Sequence, residues 1–195
     1  MIDEMGRQHA GIRIQHVDAL AGNAEFRELK ARNVDLMFAR LTGQIDAADF
    51  DVEILFHESF HVVAGAESVW AKRRKIDLAS LMAEPWILQT PGNPIRAQID
   101  KAFRKHGLES PRECVGSVSV HLRTHLIATG KYLTVMPASA LKFNANTWAL
   151  TPLPIDLGIL VPTGIVTLKN RTLSPIVSVF IENARAVARA MNQSQ

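Results

Sequence analysis

The sequence predicts an α/β fold, on three observations. Runs rich in β-branched and aromatic residues alternate with amphipathic stretches along most of the chain. A strongly capped helix, opened by Asn93-Pro94, follows directly on the apolar run Pro85 to Leu88. The tail repeats that logic with Ser174-Pro175 before a long helical pattern. At 195 residues the chain can bury one good-sized core or two small ones.

Taken in order, Ile2 to His9 reads as the second half of a helix, with Ile2 and Met5 on one side and Gly11 as its stop. Gly11 to Ala19 reads as a strand. Within residues 24–41 an amphipathic helix follows. Phe26 and Leu29 mark its apolar side, with Glu25 and Glu28 early and Lys30 and Arg32 late, as the helix dipole favours. It runs into a short apolar strand from Val34 to Ala39, making a β-α-β unit of the kind that places ligand sites at strand C-termini. Val52 to Gly65 is a long apolar run. Ala66 to Lys75 and Asp77 to Met82 read as short helices, and Pro85 to Leu88 as a strand. Asn93 caps and Pro94 starts the next helix, whose face is Ile95, Ile99 and Phe103 and whose stop is Gly107. Glu113 to Ser117 is a strand, Ser119 to Thr129 a helix stopped by Gly130, and Tyr132 to Met136 a strand ended by Pro137. In the tail helix Ile176, Phe180, Val187 and Met191 recur at helical spacing.

This order of elements resembles the effector-binding domain of LysR-type transcriptional regulators. Asn33-Val34-Asp35-Leu36 stands where the family's strand opens with Gly and continues to an Asp; Asn33 takes the Gly position. The resemblance continues through Ile54 to Lys72, Asp77 to Leu88, the helix ending at Gly107, Ala128 to Pro137, and Leu168 to Ala184. It covers nearly the whole chain, and its specificity lies in the order of the patterns. It implies a periplasmic-binding-protein type II-like architecture, two α/β subdomains joined by two crossover strands near Val63 to Ala66 and near Thr163 to Val166. Residues 1–64 and 163–195 would form the first subdomain, lacking its first strand, and residues 65–162 the second. The family's first strand, its ligand-contacting loop and a winged helix-turn-helix are all expected upstream of Met1. The function implied is to sense a small organic anion in the cleft between subdomains. The expected assembly is a homodimer or homotetramer in the cytoplasm, reaching promoter DNA only through the separate N-terminal domain.

Composition agrees with this and excludes little. Hydrophobic residues make up 47% and charged residues 21%, ordinary for an α/β protein, and a net charge of +3 is too slight to argue for nucleic-acid binding by itself. The dense basic run Lys72-Arg73-Arg74-Lys75 reads as a solvated turn. The single cysteine, Cys114, allows no intrachain disulfide and is expected to pack in the core. No apolar run approaches the roughly 20 residues of a membrane span, and the first residues lack a signal-peptide pattern.

His57-Glu58-Ser59-Phe60-His61 matches the H-E-x-x-H zinc-protease signature. That chemistry needs a helix, and the flanking residues, Glu53 to Phe56 and Val62 to Gly65, say strand. On a strand the two imidazoles would lie about 13 Å apart, too far for one zinc. No catalytic residue, metal or cofactor is therefore expected, and no Walker loop, nucleophile elbow or dinucleotide pattern is present.

Three strand-to-helix loops can meet a small carboxylate with free backbone N–H groups and short polar side chains. Asp18, Gly22 and Asn23 belong to the first, Thr90, Pro91 and Asn93 to the second, and Ser117, Ser119 and His121 to the third. Asn23, Asn93 and Ser119 are also natural caps for their own helices, and the two roles are compatible. His121 and His125 are four apart around Arg123 and read as surface or cleft-lining residues. The alternative function for the whole chain is a periplasmic solute-binding receptor of the same architecture. The zinc protease remains the remote one.

Overall fold

A computed structural model describes residues 2–9, 11–18 and 26–192 of the chain. Six helices and six strands are described in the order α1 (Ile2–Gln8), α2 (Arg27–Lys30), β1 (Met37–Arg40), β2 (Phe50–Gly65), β3 (Trp86–Leu88), α3 (Pro94–Lys105), β4 (Glu113–Gly116), α4 (Val120–Ala128), β5 (Leu133–Pro137), α5 (Ala138–Asn144), β6 (Leu150–Leu168) and α6 (Pro175–Asn192). The chain divides into two compact units, Met1–His57 with Val161–Gln195, and Glu58–Leu160. The long strands β2 and β6 each contribute to both. The divisions fall at 57/58 and 160/161, whereas the sequence places them at 64/65 and 162/163.

In the first unit β1 pairs antiparallel with β6, Met37 opposite Val166 and Arg40 opposite Thr163. Successive β6 residues point to opposite faces. Val166 therefore joins Phe26, Leu29 and Phe50 on one face, while Ile165 meets Val177, Ile181 and Ala184 of α6 on the other. Phe26 packs edge-to-face on Phe50 at 5.1 Å. At Gly164 β6 packs against the β2 backbone, and a Cβ there would lie 2.0 Å from the Glu53 carbonyl oxygen.

In the second unit β5 pairs antiparallel with β2, and β3 runs parallel to both β4 and β5. One face is closed by Val63, Ile87, Ile127, Met136, Leu141 and Leu150. On the other, Trp86 stacks edge-to-face on Phe103 of α3 at 5.5 Å, and its Nε1–H donates to the Leu81 carbonyl at 2.9 Å.

Several expectations are corrected here. Residues 12–18 form no strand: Ile14 and Val17 are 37% and 41% exposed, so the alternating pattern exists without a neighbouring ladder to complete it. The helix within 24–41 is only one turn long among the described residues, Arg27–Lys30. Phe26 and Arg32 take left-handed φ angles of 42° and 58°, and the Asn33 side chain donates to Glu28 Oε2 at 2.8 Å, which turns the chain instead of extending the helix. Ala66 to Lys75 forms turns, and Asp77 caps a single 3-10 turn, Leu78–Leu81. Cys114 is exposed, because β4 lies at the sheet edge and alternates Glu113 and Val115 inward with Cys114 and Gly116 outward.

On α6 the buried face is Val177, Ile181, Ala184 and Ala188, while Ile176 and Val187 stand 36% and 39% exposed. Two apolar stripes run along this helix, Ile176, Phe180, Val187 and Met191 beside Val177, Ile181, Ala184 and Ala188. The structure buries the one whose small residues, Ala184 and Ala188, let the backbone approach the sheet. The first half of β6 and all of α5 escape the sequence reading. Pro152 and Pro154 argue against a strand, yet both sit at exposed positions while Leu153, Ile155 and Leu157 face inward.

Candidate functional site

The polar loops of the second unit stand at the C-terminal ends of the parallel strands β3 and β4, where open α/β sheets present a crevice. Ser117 N–H donates to the Leu88 carbonyl at 2.9 Å, which carries the β3–β4 pairing one residue past the strand end. Gly116 lets Thr90 approach: a Cβ at Gly116 would lie 3.4 Å from Thr90 Cγ2. The loops 89–93 and 116–119 are therefore neighbours.

Each loop hands over to a helix through a side-chain cap. Asn93 Oδ1 accepts from Ile95 N at 2.9 Å and Arg96 N at 3.4 Å, and Asn93 is 8% exposed. Its carbonyl oxygen is thus spent on its own helix. Ser119 Oγ accepts from Leu122 N at 3.3 Å, and Ser117 Oγ accepts from Ser119 N at 3.1 Å. Both serines keep a hydroxyl proton to donate, and Thr90, Ser119 and His121 are exposed while Ser117 is half-buried. Helix N-termini carry partial positive charge, so this cluster of donors favours an anion.

The cluster is held from beneath by two arginines. Arg123, in the first half of α4 and only 4% exposed, donates from Nη2 to Thr134 Oγ1 and to the Val135 carbonyl, both at 2.6 Å. Thr134 Oγ1 in turn donates to the Ile87 carbonyl at 2.6 Å, so α4, β5 and β3 are stitched together by one buried chain of hydrogen bonds. Arg96, in the first turn of α3, donates to the Gln89 carbonyl at 3.0 Å, to Asp100 at 2.8 Å and to Glu113. Burial pulls the Arg96 pKa down, but hydrogen bonds and charge from Asp100 and Glu113 outweigh it and leave the guanidinium above its ordinary value. Asp100 also accepts from Ser110 Oγ at 2.7 Å. A shallow hollow of about 190 Å³ lies beside this network, lined by Pro91 to Pro94, Arg96, Ala97 and Asp100.

Of the nine residues singled out from the sequence, the structure gathers Thr90, Pro91, Asn93, Ser117, Ser119 and His121 in this one unit. Asp18 belongs to the other unit, exposed and 3.7 Å from His16 Nε2. Gly22 and Asn23 lie outside the described residues. Sequence reasoning passes over Arg123, whose flanking histidines draw the eye, and Gln89. Gln89 is 8% exposed, and its Oε1 is buried without a hydrogen-bond partner among the described residues. A polar residue immediately after the apolar run Trp86-Ile87-Leu88 is the signal that could have flagged it.

The H-E-x-x-H segment lies wholly within strand β2. Glu58, 3% exposed, accepts from Ser139 N at 3.0 Å and Ser139 Oγ at 2.6 Å, so both carboxylate oxygens serve the start of α5. His57 is exposed, and His61 Nε2 lies 3.3 Å from Ser59 Oγ. Among the described residues no group of three His, Cys, Asp or Glu side chains is placed to hold a metal ion, and no helix is long and apolar enough to cross a membrane.

Residues 1–189 match the family described as the LysR substrate binding domain. The chain is 29% identical over 157 residues to the HTH-type transcriptional regulator GbpR of Azospirillum brasilense, covering 80% of this chain and 46% of that protein. The GbpR of Rhizobium radiobacter is 24% identical over 141 residues, covering 72% and 46%. The chain thus spans about half the length of these curated relatives. Among solved structures, the regulatory domain of Synechocystis PCC6803 CcmR in complex with 2-PG superposes with a TM-score of 0.76 at 20% identity, covering 97% of this chain and 90% of that one. The effector-binding domain of QuiR in complex with shikimate gives a TM-score of 0.66 at 20% identity, covering 84% and 76%. At these identities the two structures establish a shared fold.

Proposed function

The chain belongs to the LysR substrate-binding domain family, and from that premise we propose that it is the effector-sensing part of a DNA-binding transcriptional regulator, responding to a small organic anion. The family match over residues 1–189 carries the reading. The donor-rich loops at the ends of β3 and β4 support the anion: they offer backbone N–H groups and hydroxyls and, from Gln89 to Asn93 and from Gly116 to His121, no carboxylate. The named ligands of the CcmR and QuiR structures, 2-PG and shikimate, are consistent with a small ligand here too.

In this reading Ser117, Ser119, Thr90 and His121 donate to the ligand, Asn93 fixes the α3 N-terminus, and Arg123 holds α4 in place. The ligand acts by binding one arrangement of the domain more tightly than another, since equal affinity for both would shift nothing. Promoter DNA is engaged through a helix-turn-helix module outside these 195 residues, the protein acts in the cytoplasm as at least a dimer, and no catalysis is involved.

Calorimetric titration of the chain with a panel of small carboxylates and phosphates tests the sensing role, with light scattering for the oligomer. Saturable binding that weakens roughly ten- to a hundredfold in Ser117→Ala/Ser119→Ala is expected. The alternative, a periplasmic solute receptor, is tested by reading the in-frame codons upstream of Met1: a helix-turn-helix supports the regulator, and an export signal refutes it.

A further inference from the structure

The turn joining β2 to the 3-10 segment carries four consecutive cations, Lys72, Arg73, Arg74 and Lys75, all exposed. They account for the chain's net charge. Its formal charge is +3 from 22 basic and 19 acidic residues, so without these four the remaining 18 basic residues are outnumbered by one. The chain's excess of positive over negative charge is therefore no larger than the charge of this one turn.

That turn is built, not loose. Ala71 N–H donates to Ser68 O at 3.1 Å, Arg73 N–H to Trp70 O at 3.2 Å, and Trp70 N–H to Ser68 Oγ at 3.3 Å. The Arg73 guanidinium lies over the Trp70 ring, 4.6 Å from its centroid, an arrangement that fixes the cation while leaving its N–H edge to solvent. Trp70 itself is 9% exposed, so its ring serves as a floor and not as a stacking platform for a base. Among the described residues none of the four cations joins an ion pair. The neighbouring carboxylates are engaged elsewhere or apart: Asp77 Oδ1 accepts from Ala79 N at 3.1 Å, and neither Asp77 nor Glu67 joins an ion pair among the described residues.

We infer that this turn is a contact surface for the phosphate backbone of duplex nucleic acid, read by charge and without base sequence. Four exposed cations on one hydrogen-bonded turn can meet several phosphates at once, and phosphates supply affinity through counterion release. An acidic protein partner fits less well, since interfaces of that kind centre on buried apolar anchors and the turn offers Val69 alone as an exposed apolar side chain among the described residues. None of these four residues belongs to the candidate effector loops, so the test alters no residue of theirs.

Fluorescence anisotropy of the 195-residue chain with a labelled duplex of arbitrary sequence, across a salt series, reads this directly. Four phosphate contacts give a slope of log affinity against log salt of about −3.6, roughly a hundredfold loss between 50 and 200 mM. Lys72→Ala/Arg74→Ala/Lys75→Ala, with an unchanged circular-dichroism spectrum, is expected to bring the slope to about −0.9. Absence of salt-dependent binding in the unaltered chain, an unchanged slope in the folded triple variant, or tighter binding to poly-glutamate than to the duplex would each overturn the inference.

Discussion

Ser117 donates its backbone N–H to the Leu88 carbonyl at 2.9 Å, so the loop opening α4 is an extension of strand β3's hydrogen-bonded edge. The consequence is that the donors of that loop are positioned by the sheet. Ser119→Ala then removes the cap of α4 and costs about 1 kcal/mol, while Ser119→Gly costs a few tenths. Both variants remain folded at 25 °C in urea titrations. If Ser117 and Ser119 hydroxyls meet an anion, the double alanine variant weakens its binding roughly ten- to a hundredfold; an unchanged affinity removes them from the site.

Glu58 and Ser139 make the polar contact that replaces a conventional cap on α5, whose own N-cap, Pro137, has no hydrogen-bonding side chain. Glu58→Ala orphans the Ser139 N–H and hydroxyl and is expected to cost about 2 to 3 kcal/mol, measured by chemical denaturation. Glu58→Gln, which keeps one acceptor, costs less. His57→Ala and His61→Ala leave stability near that of the parent, and a chelator changes nothing, as a strand-borne H-E-x-x-H requires.

Arg185 clasps Glu53 through Nε to Oε1 at 2.6 Å and Nη2 to Oε2 at 2.7 Å, tying α6 to β2. The hydrogen bond from Arg185 lowers the Glu53 pKa from 4.5, opposed by desolvation and aided by the charge of Arg185. A carboxylate with a depressed folded pKa stabilises the fold at pH above its unfolded value, and that contribution is lost as pH falls through the folded value. Arg185→Ala is therefore expected to lower the melting temperature at pH 7 and to melt like the parent once Glu53 is protonated. Both side chains are more than a third exposed, so the effect is modest and shrinks in high salt.

Gly164 faces the Glu53 carbonyl across the β6–β2 pair, and the 2.0 Å approach of an added Cβ involves backbone that cannot swing aside. Gly164→Ala is expected to cost about 3 kcal/mol or more. Gly43→Ala, with open space around it, serves as the neutral control in the same thermal melt.

What the sequence revealed about this fold follows from where local signals dominate. The Asn93-Pro94 start of α3, the Ser119 start of α4 and the long apolar β2 are written in caps, propensity and runs, and each is found close to its expected bounds. Segments decided by tertiary contact were not legible. Phe26 is drawn into a left-handed turn by its packing on Phe50, residues 12–18 carry a strand's alternation without its ladder, and α6 buries its smaller-residue stripe. In the candidate loops, Asn93 and Ser119 were readable as caps because capping residues announce themselves. Arg123 and Gln89 were not, since burial of a polar side chain depends on elements far away in sequence, as Arg123 depends on Thr134 and Val135.

Amide-resolved NMR titration of the chain with small carboxylates and phosphates asks whether the loops after β3 and β4 bind an anion. A binding anion is expected to shift the N–H resonances of Thr90, Gly92 and Asn93 together with those of Ser117, Ser119 and His121. Saturable binding whose shifts fall elsewhere in the second unit and spare these six residues would contradict it.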